Sequence, residues 1–211
     1  MRKDLYDSIH GEKAVNKFLC DNLYDVIYKN HYVVADNIDA QLSGIDVVVY
    51  EEEPFSIDEK AQVGYINRPR PTFAFEISYK NRSGIVKDGW LLKNKVNPTY
   101  YGLVWIHKSR ESNKGKLKAS DIEKLEYMLI NNIKLQDYLY EHGIDEKKAR
   151  DISDMLRKFN QRFVYSNGFK FVYSYGFNEA PVNIVVPKSI LKEICEYDYI
   201  VTPYGITKEF S

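Results

Sequence analysis

One feature constrains the fold more than any other: an aspartate set in a valine run, followed across an acidic turn by an alternating strand. The segment QLSGIDVVVY, residues 41–50, is apolar on both sides of Asp46, as a central strand of a sheet is. Glu51, Glu52, Glu53 and Pro54 then mark a turn. In FSIDEKAQV, residues 55–63, Phe55, Ile57, Ala61 and Val63 share one face, and Ser56, Asp58, Lys60 and Gln62 share the other. A turn centred near Glu52 and Glu53 sets Asp46 opposite Asp58 or Glu59. Directly opposed residues have Cβ atoms about 4.5–5.5 Å apart. A slip of one residue would send every side chain to the wrong face.

That pairing has a chemical consequence. An ionised carboxylate buried among valines is costly unless it is paired or holds a metal. A second carboxylate beside it adds like-charge repulsion. A divalent cation removes both penalties, and an all-oxygen donor set suits Mg²⁺ or Mn²⁺. Lys60 projects to the same face as Asp58, where it can orient a water or steady a phosphate. Together these groups suit metal-assisted hydrolysis of a phosphodiester.

The remaining chemistry-bearing residues are less tightly placed. Glu12 stands one turn before Val15 on the first helix, so it can face the sheet, although an acid near a helix N-terminus is also favoured by the dipole alone. Glu76 interrupts the apolar strand TFAFEISY, either as a partner of Lys80 or Arg82 or as a further ligand. The stretch 79–95, YKNRSGIVKDGWLLKNK, interleaves Lys80, Arg82, Lys87, Lys93 and Lys95 with Trp90. Basic residues around an aromatic can hold phosphates and stack a base. The four histidines have no metal-ligand spacing, and neither a P-loop nor a G-x-S-x-G elbow occurs.

Net charge is zero but unevenly distributed. Residues 1–60 carry 6 Lys and Arg against 13 Asp and Glu; residues 61–118 carry 12 against 3; residues 119–211 carry 12 against 14. The middle third can therefore supply one basic face for a polyanion. The two cysteines, Cys20 and Cys195, form no C-x-x-C pair, which points to a reducing, cytoplasmic setting. The opening MRKDLYDSIHGEK has no apolar signal core, and no stretch approaches the 18 or so apolar residues of a membrane span.

Periodicity predicts a helix over 8–28, with Val15, Phe18, Leu19, Leu23, Val26 and Ile27 as its apolar stripe. Strands are expected at 32–36, 41–50, 55–63, 72–79 and 101–107, with loop and short helix over 80–98. Ser120 with Glu123 reads as a capping box opening a helix, and 145–160 reads as a second. Strands at 162–166 and 169–175 flank the Asn167-Gly168 turn, and a strand at 182–186 and a short helix at 188–197 follow.

Glu12 on a leading helix, Asp46 on a strand and Asp58-Glu59-Lys60 on the next resembles the PD-(D/E)XK nuclease superfamily over roughly residues 8–107. The resemblance implies an α/β, restriction-endonuclease-like core of helix, mixed central sheet and helix. It implies a single domain over 1–211, with a catalytic core at 1–107, a helical-hairpin insertion at 119–160, and C-terminal strands and a short helix over 161–211. It gives Asp46 and Asp58 to the metal, Lys60 to hydrolysis and Glu12 to support of the metal, with Gln62 as an extra polar residue. Ile45 stands where the family has proline, and Glu59 is polar where an apolar residue is usual, so Glu59 is an alternative ligand to Asp58. The implied activity is Mg²⁺-dependent DNA hydrolysis by a soluble protein, possible as a homodimer. The alternative is a nucleic-acid-binding relative without turnover.

Overall fold

The computed structural model describes residues 3–35, 44–93, 98–109 and 116–209. The first helix, α1 (Lys3–Leu19), runs into a π-helical segment, Cys20–Tyr24, and a last helical turn, Asp25–Ile27. Three strands follow: β1 (Tyr32–Val34), β2 (Val47–Val49) and β3 (Phe55–Ala61). Then come β4 (Thr72–Lys80), β5 (Val86–Asp88), α2 (Trp90–Lys93), β6 (Tyr100–Lys108) and β7 (Ile122–Asn131). Helices α3 (Asn132–Glu141) and α4 (Glu146–Lys158) precede β8 (Phe163–Ser166), β9 (Phe169–Tyr173) and β10 (Val182–Pro187). The chain closes with α5 (Lys188–Ile194), β11 (Cys195–Thr202) and β12 (Gly205–Lys208). The protein is thus mixed α/β, and no helix among the described residues is long and apolar enough to cross a membrane.

The chain divides into two compact units rather than one continuous core. The first comprises Met1–Arg70, Pro98–Asn131 and Cys195–Ser211; the second comprises Pro71–Asn97 and Asn132–Ile194. The first unit holds a seven-stranded sheet in the order β1-β2-β3-β6-β7-β11-β12. Its β3–β6 pair is parallel and the other pairs are antiparallel, so the sheet is mixed. Val15, Phe18, Leu19, Leu23 and Tyr24 pack with Val47, Val49, Ile57, Val104, Ile106, Leu125 and Tyr127 in one buried cluster.

The π segment changes which residues the helix delivers to that cluster. Asp25 N–H bonds to Cys20 O, one residue further back than an α-helix allows. The extra residue rotates the remaining turn. Tyr24 enters the core, whereas Val26 and Ile27, expected on the stripe, are exposed.

The second unit holds an antiparallel sheet in the order β5-β4-β10-β9-β8. Its buried face carries Phe75, Ile77, Phe171 and Ile184, and α4 packs with β4 and β9 through Ala149, Ile152 and Leu156. α4 is N-capped by Asp145, whose carboxylate accepts the Lys148 N–H at 2.7 Å.

Two expectations need correction. The helix expected from Ser120 is instead a 3-10 turn, Ala119–Asp121, and then strand β7. Ile122, Leu125 and Leu129 do recur at helical spacing, but Tyr127, Met128, Leu129 and Ile130 form an unbroken apolar run. Such a run suits an interior strand, and β7 lies between β6 and β11. The helical pair therefore begins at Asn132 and belongs, with the strands around it, to the second unit. The C-terminal helix also ends at Ile194, and Cys195 starts β11 in the first unit's sheet.

Candidate active site

Everything that positions the candidate site lies in the first unit. Val47 pairs with Ile57, Val48 with Ser56 and Val49 with Phe55, so the β2–β3 register sets Asp46 at the level of Asp58. Asp46 stands at the bend that opens β2, its N–H donating to Ile57 O at 2.9 Å. The bend leaves Asp46 half-buried, and Asp58 on β3, 2% exposed, is the carboxylate that is withdrawn from water.

The two carboxyl groups lie within hydrogen-bonding reach of each other. Asp46 Oδ2 also accepts the Glu59 backbone N–H at 2.7 Å, which fixes it to β3. Lys60 Nζ donates to Asp58 Oδ1 at 2.7 Å, and its side chain keeps 28% of its surface in water. Burial pushes the Asp58 carboxyl up to about 7; the Lys60 ammonium opposes that rise and Asp46 reinforces it. Burial pulls Lys60 down, but Asp58, Asp46 and Glu12 together hold it above its ordinary value. Gly44 closes the approach: its φ is +70°, and a Cβ there would come within 3.3 Å of Asp58 Oδ2.

Glu59 turns to the opposite face of β3. Its Oε1 accepts from the Tyr24 hydroxyl at 2.7 Å and its Oε2 from Asn16 Nδ2 at 3.1 Å. Tyr24 and Tyr127 hydroxyls are 3.2 Å apart, which extends the chain of bonds across the core. Tyr127 crosses β6 at Gly102, where a Cβ would meet its hydroxyl at 2.8 Å. Burial raises the Glu59 carboxyl to about 7, with the Tyr24 hydrogen bond opposing the shift. Asp58 and Glu59, adjacent in sequence, thus serve two different environments.

The other expected residues scatter. Glu12 is exposed on α1 and acts on Lys60 through its charge. Gln62 has left the strand; its N–H donates to Val104 O at 3.0 Å, and its side-chain oxygen accepts the Arg70 N–H at 3.4 Å. Lys80, Arg82, Lys87, Trp90 and Lys93 belong to the second unit, and Lys95 lies outside the described residues. Trp90 is half-buried and packs on Phe75, with ring centroids 5.2 Å apart. Among the described residues no group of three or more His, Cys, Asp and Glu converges as a ready-made metal cage. The converging acids are two, Asp46 and Asp58.

Asn16, Tyr24, Tyr127 and Gly102, which hold Glu59, were not legible beforehand. Tyr24 and Tyr127 are 103 positions apart, and no local pattern joins them.

No protein-family model matches this chain, and no curated protein matches its sequence. Among solved structures, an HhaI endonuclease in complex with DNA is similar over 100% of this chain and 93% of its own, at 10% identity and a TM-score of 0.21. A likeness that slight carries no argument about this chain.

Proposed function

We propose that the chain is a divalent-metal-dependent nuclease of the PD-(D/E)XK kind, hydrolysing phosphodiester bonds in DNA. The observation that carries this reading is the cluster on one face of the β2–β3 hairpin: Asp46 beside Asp58, with Lys60 bonded to Asp58 at 2.7 Å. A buried carboxyl raised to about 7 beside a second carboxylate is costly to a fold. Such strain is retained where a ligand or a reaction needs it.

The donor set fits Mg²⁺ or Mn²⁺. Mg²⁺ is commonly held by one or two carboxylates, with water and substrate phosphate completing its shell. Asp46 and Asp58 are the two donors here, and Glu59, committed to Tyr24 and Asn16, is not required. A bound divalent ion supplies positive charge for the phosphate and a water acidified enough to attack it. Lys60 has an ammonium at the boundary between the buried acid and water, where it orients an incoming water or neutralises a phosphate oxygen. Asp58 above all, with Asp46 and Glu12 adding to it, keeps that ammonium charged. Asp46 is held against β3 by the Glu59 N–H, which would pre-position it for the ion. The intact Asp58–Lys60 contact favours turnover over a binding-only relative.

Nicking of supercoiled plasmid with Mg²⁺ or Mn²⁺, against a chelator control, tests the reading. Wild type nicks; Asp46→Ala and Lys60→Ala do not. Calorimetry separates their roles: Asp46→Ala loses Mn²⁺ binding, and Lys60→Ala retains it. Nicking that persists in chelator, or in a protein lacking Asp46, overturns the proposal.

A further inference from the structure

The sheet of the second unit buries one face and leaves part of the other in water. Phe169, Phe171 and Tyr173 on β9 and Val182, Ile184 and Val186 on β10 take the buried face. Strand pairing puts Phe163 and Tyr165 of β8, Lys170 and Val172 of β9, and Asn183 and Val185 of β10 on the opposite one. Phe163 and Tyr165 are 45% and 64% exposed. Their ring centroids are 6.0 Å apart at an interplanar angle of 80°. Lys170 Nζ lies 4.7 Å from the Phe163 centroid and 5.9 Å from that of Tyr165. Among the described residues Lys170 has no carboxylate partner.

The charge along the hairpin's own stretch of sequence has one sign. From Met155 to Asn178 the sequence holds Arg157, Lys158, Arg162 and Lys170 and neither Asp nor Glu. Within β4, β8, β9 and β10 the one acid is Glu76, on β4, separated from β9 by β10. The hairpin is also held firmly. Asn167 Nδ2 donates to His142 O at 2.9 Å, and Tyr173 N–H donates to Arg162 O at 2.8 Å beyond the strand's end.

Two exposed rings on an edge strand invite unwanted association. A purely structural hairpin would place polar residues there. Aromatic rings on an open sheet, with a cation beside them that no carboxylate among the described residues pairs, are what stacking of unpaired bases requires: a ring face takes a base and the cation takes a phosphate. Paired bases offer no such faces.

We propose that the open face of the β8–β9 hairpin, through Phe163, Tyr165 and Lys170, is a stacking platform for unpaired bases of single-stranded DNA. The choice of DNA rests on the reading of the Asp46–Asp58–Lys60 cluster, whereas the platform does not depend on turnover.

Fluorescence anisotropy of the full chain in chelator tests this, with a labelled oligothymidylate of about 20 nucleotides as probe. Wild type binds it more tightly than a duplex of equal length. Phe163→Ala and Tyr165→Ala each weaken binding by about five-fold or more, and Lys170→Gln flattens its salt dependence. Tyr165→Phe keeps the affinity, because the ring face remains. The assay runs in chelator and reads binding alone, so a failed nuclease assay leaves this result intact. Crosslinks from a 5-bromodeoxyuridine oligonucleotide to wild type fall on the β8–β9 hairpin, which covers the case of a variant that misfolds. The proposal is overturned by absent or duplex-preferring binding, by affinity indifferent to both ring removals, or by crosslinks elsewhere. Tighter binding of an oligouridylate RNA overturns the DNA assignment. A ring-removal variant that changes oligomeric state in light scattering while binding DNA unchanged makes the face a protein interface instead.

Discussion

On one face of β3, Asp58 lies against a second carboxylate and a lysine; on the other, Glu59 lies against a tyrosine hydroxyl and an asparagine amide. Burial lifts both acids to about 7. Glu59 is provided with neutral donors from the same chain, so its environment is complete. Asp58, among the described residues, accepts from Lys60 and faces a like charge, an environment that the proposed function completes with a metal ion. The contrast separates an acid bonded into the fold from one that the proposed function gives to a metal, although the two are neighbours in sequence.

The largest effect expected comes from the Asp58 side. Asp58→Asn keeps the shape and removes the charge, so metal-dependent nicking falls by on the order of 100- to 1,000-fold. The same variant melts no lower than wild type in chelator, because the repulsion with Asp46 is gone. A variant that loses stability and activity together would erase the distinction between the two faces.

Next comes the Glu59 side. Glu59→Ala removes the acceptor of Tyr24 and Asn16 and costs about 2–4 kcal/mol, read as a drop in Tm of roughly 5–15 °C. Mn²⁺ binding by the fraction still folded is retained. Gly102→Ala acts on the same network at a distance: its Cβ pushes the Tyr127 hydroxyl, which lies 2.8 Å away, and costs about 1–3 kcal/mol in chemical denaturation. An unchanged denaturation midpoint for Gly102→Ala would show that Tyr127 does not lean on that strand.

A pH series in chelator gives a smaller effect shared by both faces. The folded carboxyls titrate near 7, against ordinary values of 3.8 for Asp58 and 4.5 for Glu59. The folded state therefore binds protons that the unfolded chain has released. This contribution to stability is full below the ordinary values and is lost as pH rises through about 7. Tm falls by several degrees between pH 5 and pH 8, to be measured by calorimetry, and Glu59→Gln flattens its share of that slope. Smallest of all, Glu12→Gln, on the exposed part of α1, changes stability by less than about 1 kcal/mol and lowers nicking only modestly.

Much of the β2–β3 hairpin was legible in advance because two local signals agree. The acidic turn sets the register, and the apolar alternation assigns Asp58 and Lys60 to one face and Ile57 to the other. The polar middle residue Glu59 was harder to read. Whether it binds a ligand or the fold depends on Tyr24, which reaches it only because a π-helical segment rotates the end of the first helix. β7 is hidden for the opposite reason: its spacing satisfies a helix, and only the strands on either side of it decide for a strand.

By itself the sequence determined the hairpin that brings Asp46, Asp58 and Lys60 together, since period-two alternation and turn chemistry act over a few residues. It also determined the Asn167-Gly168 turn, for the same reason. The tertiary structure alone decided that the chain makes two sheets, that β11 returns to the first of them, and that Glu59 is held from behind by Asn16 and Tyr24. Those outcomes depend on contacts between residues tens of positions apart, whose benefit appears only when distant segments close around a shared core.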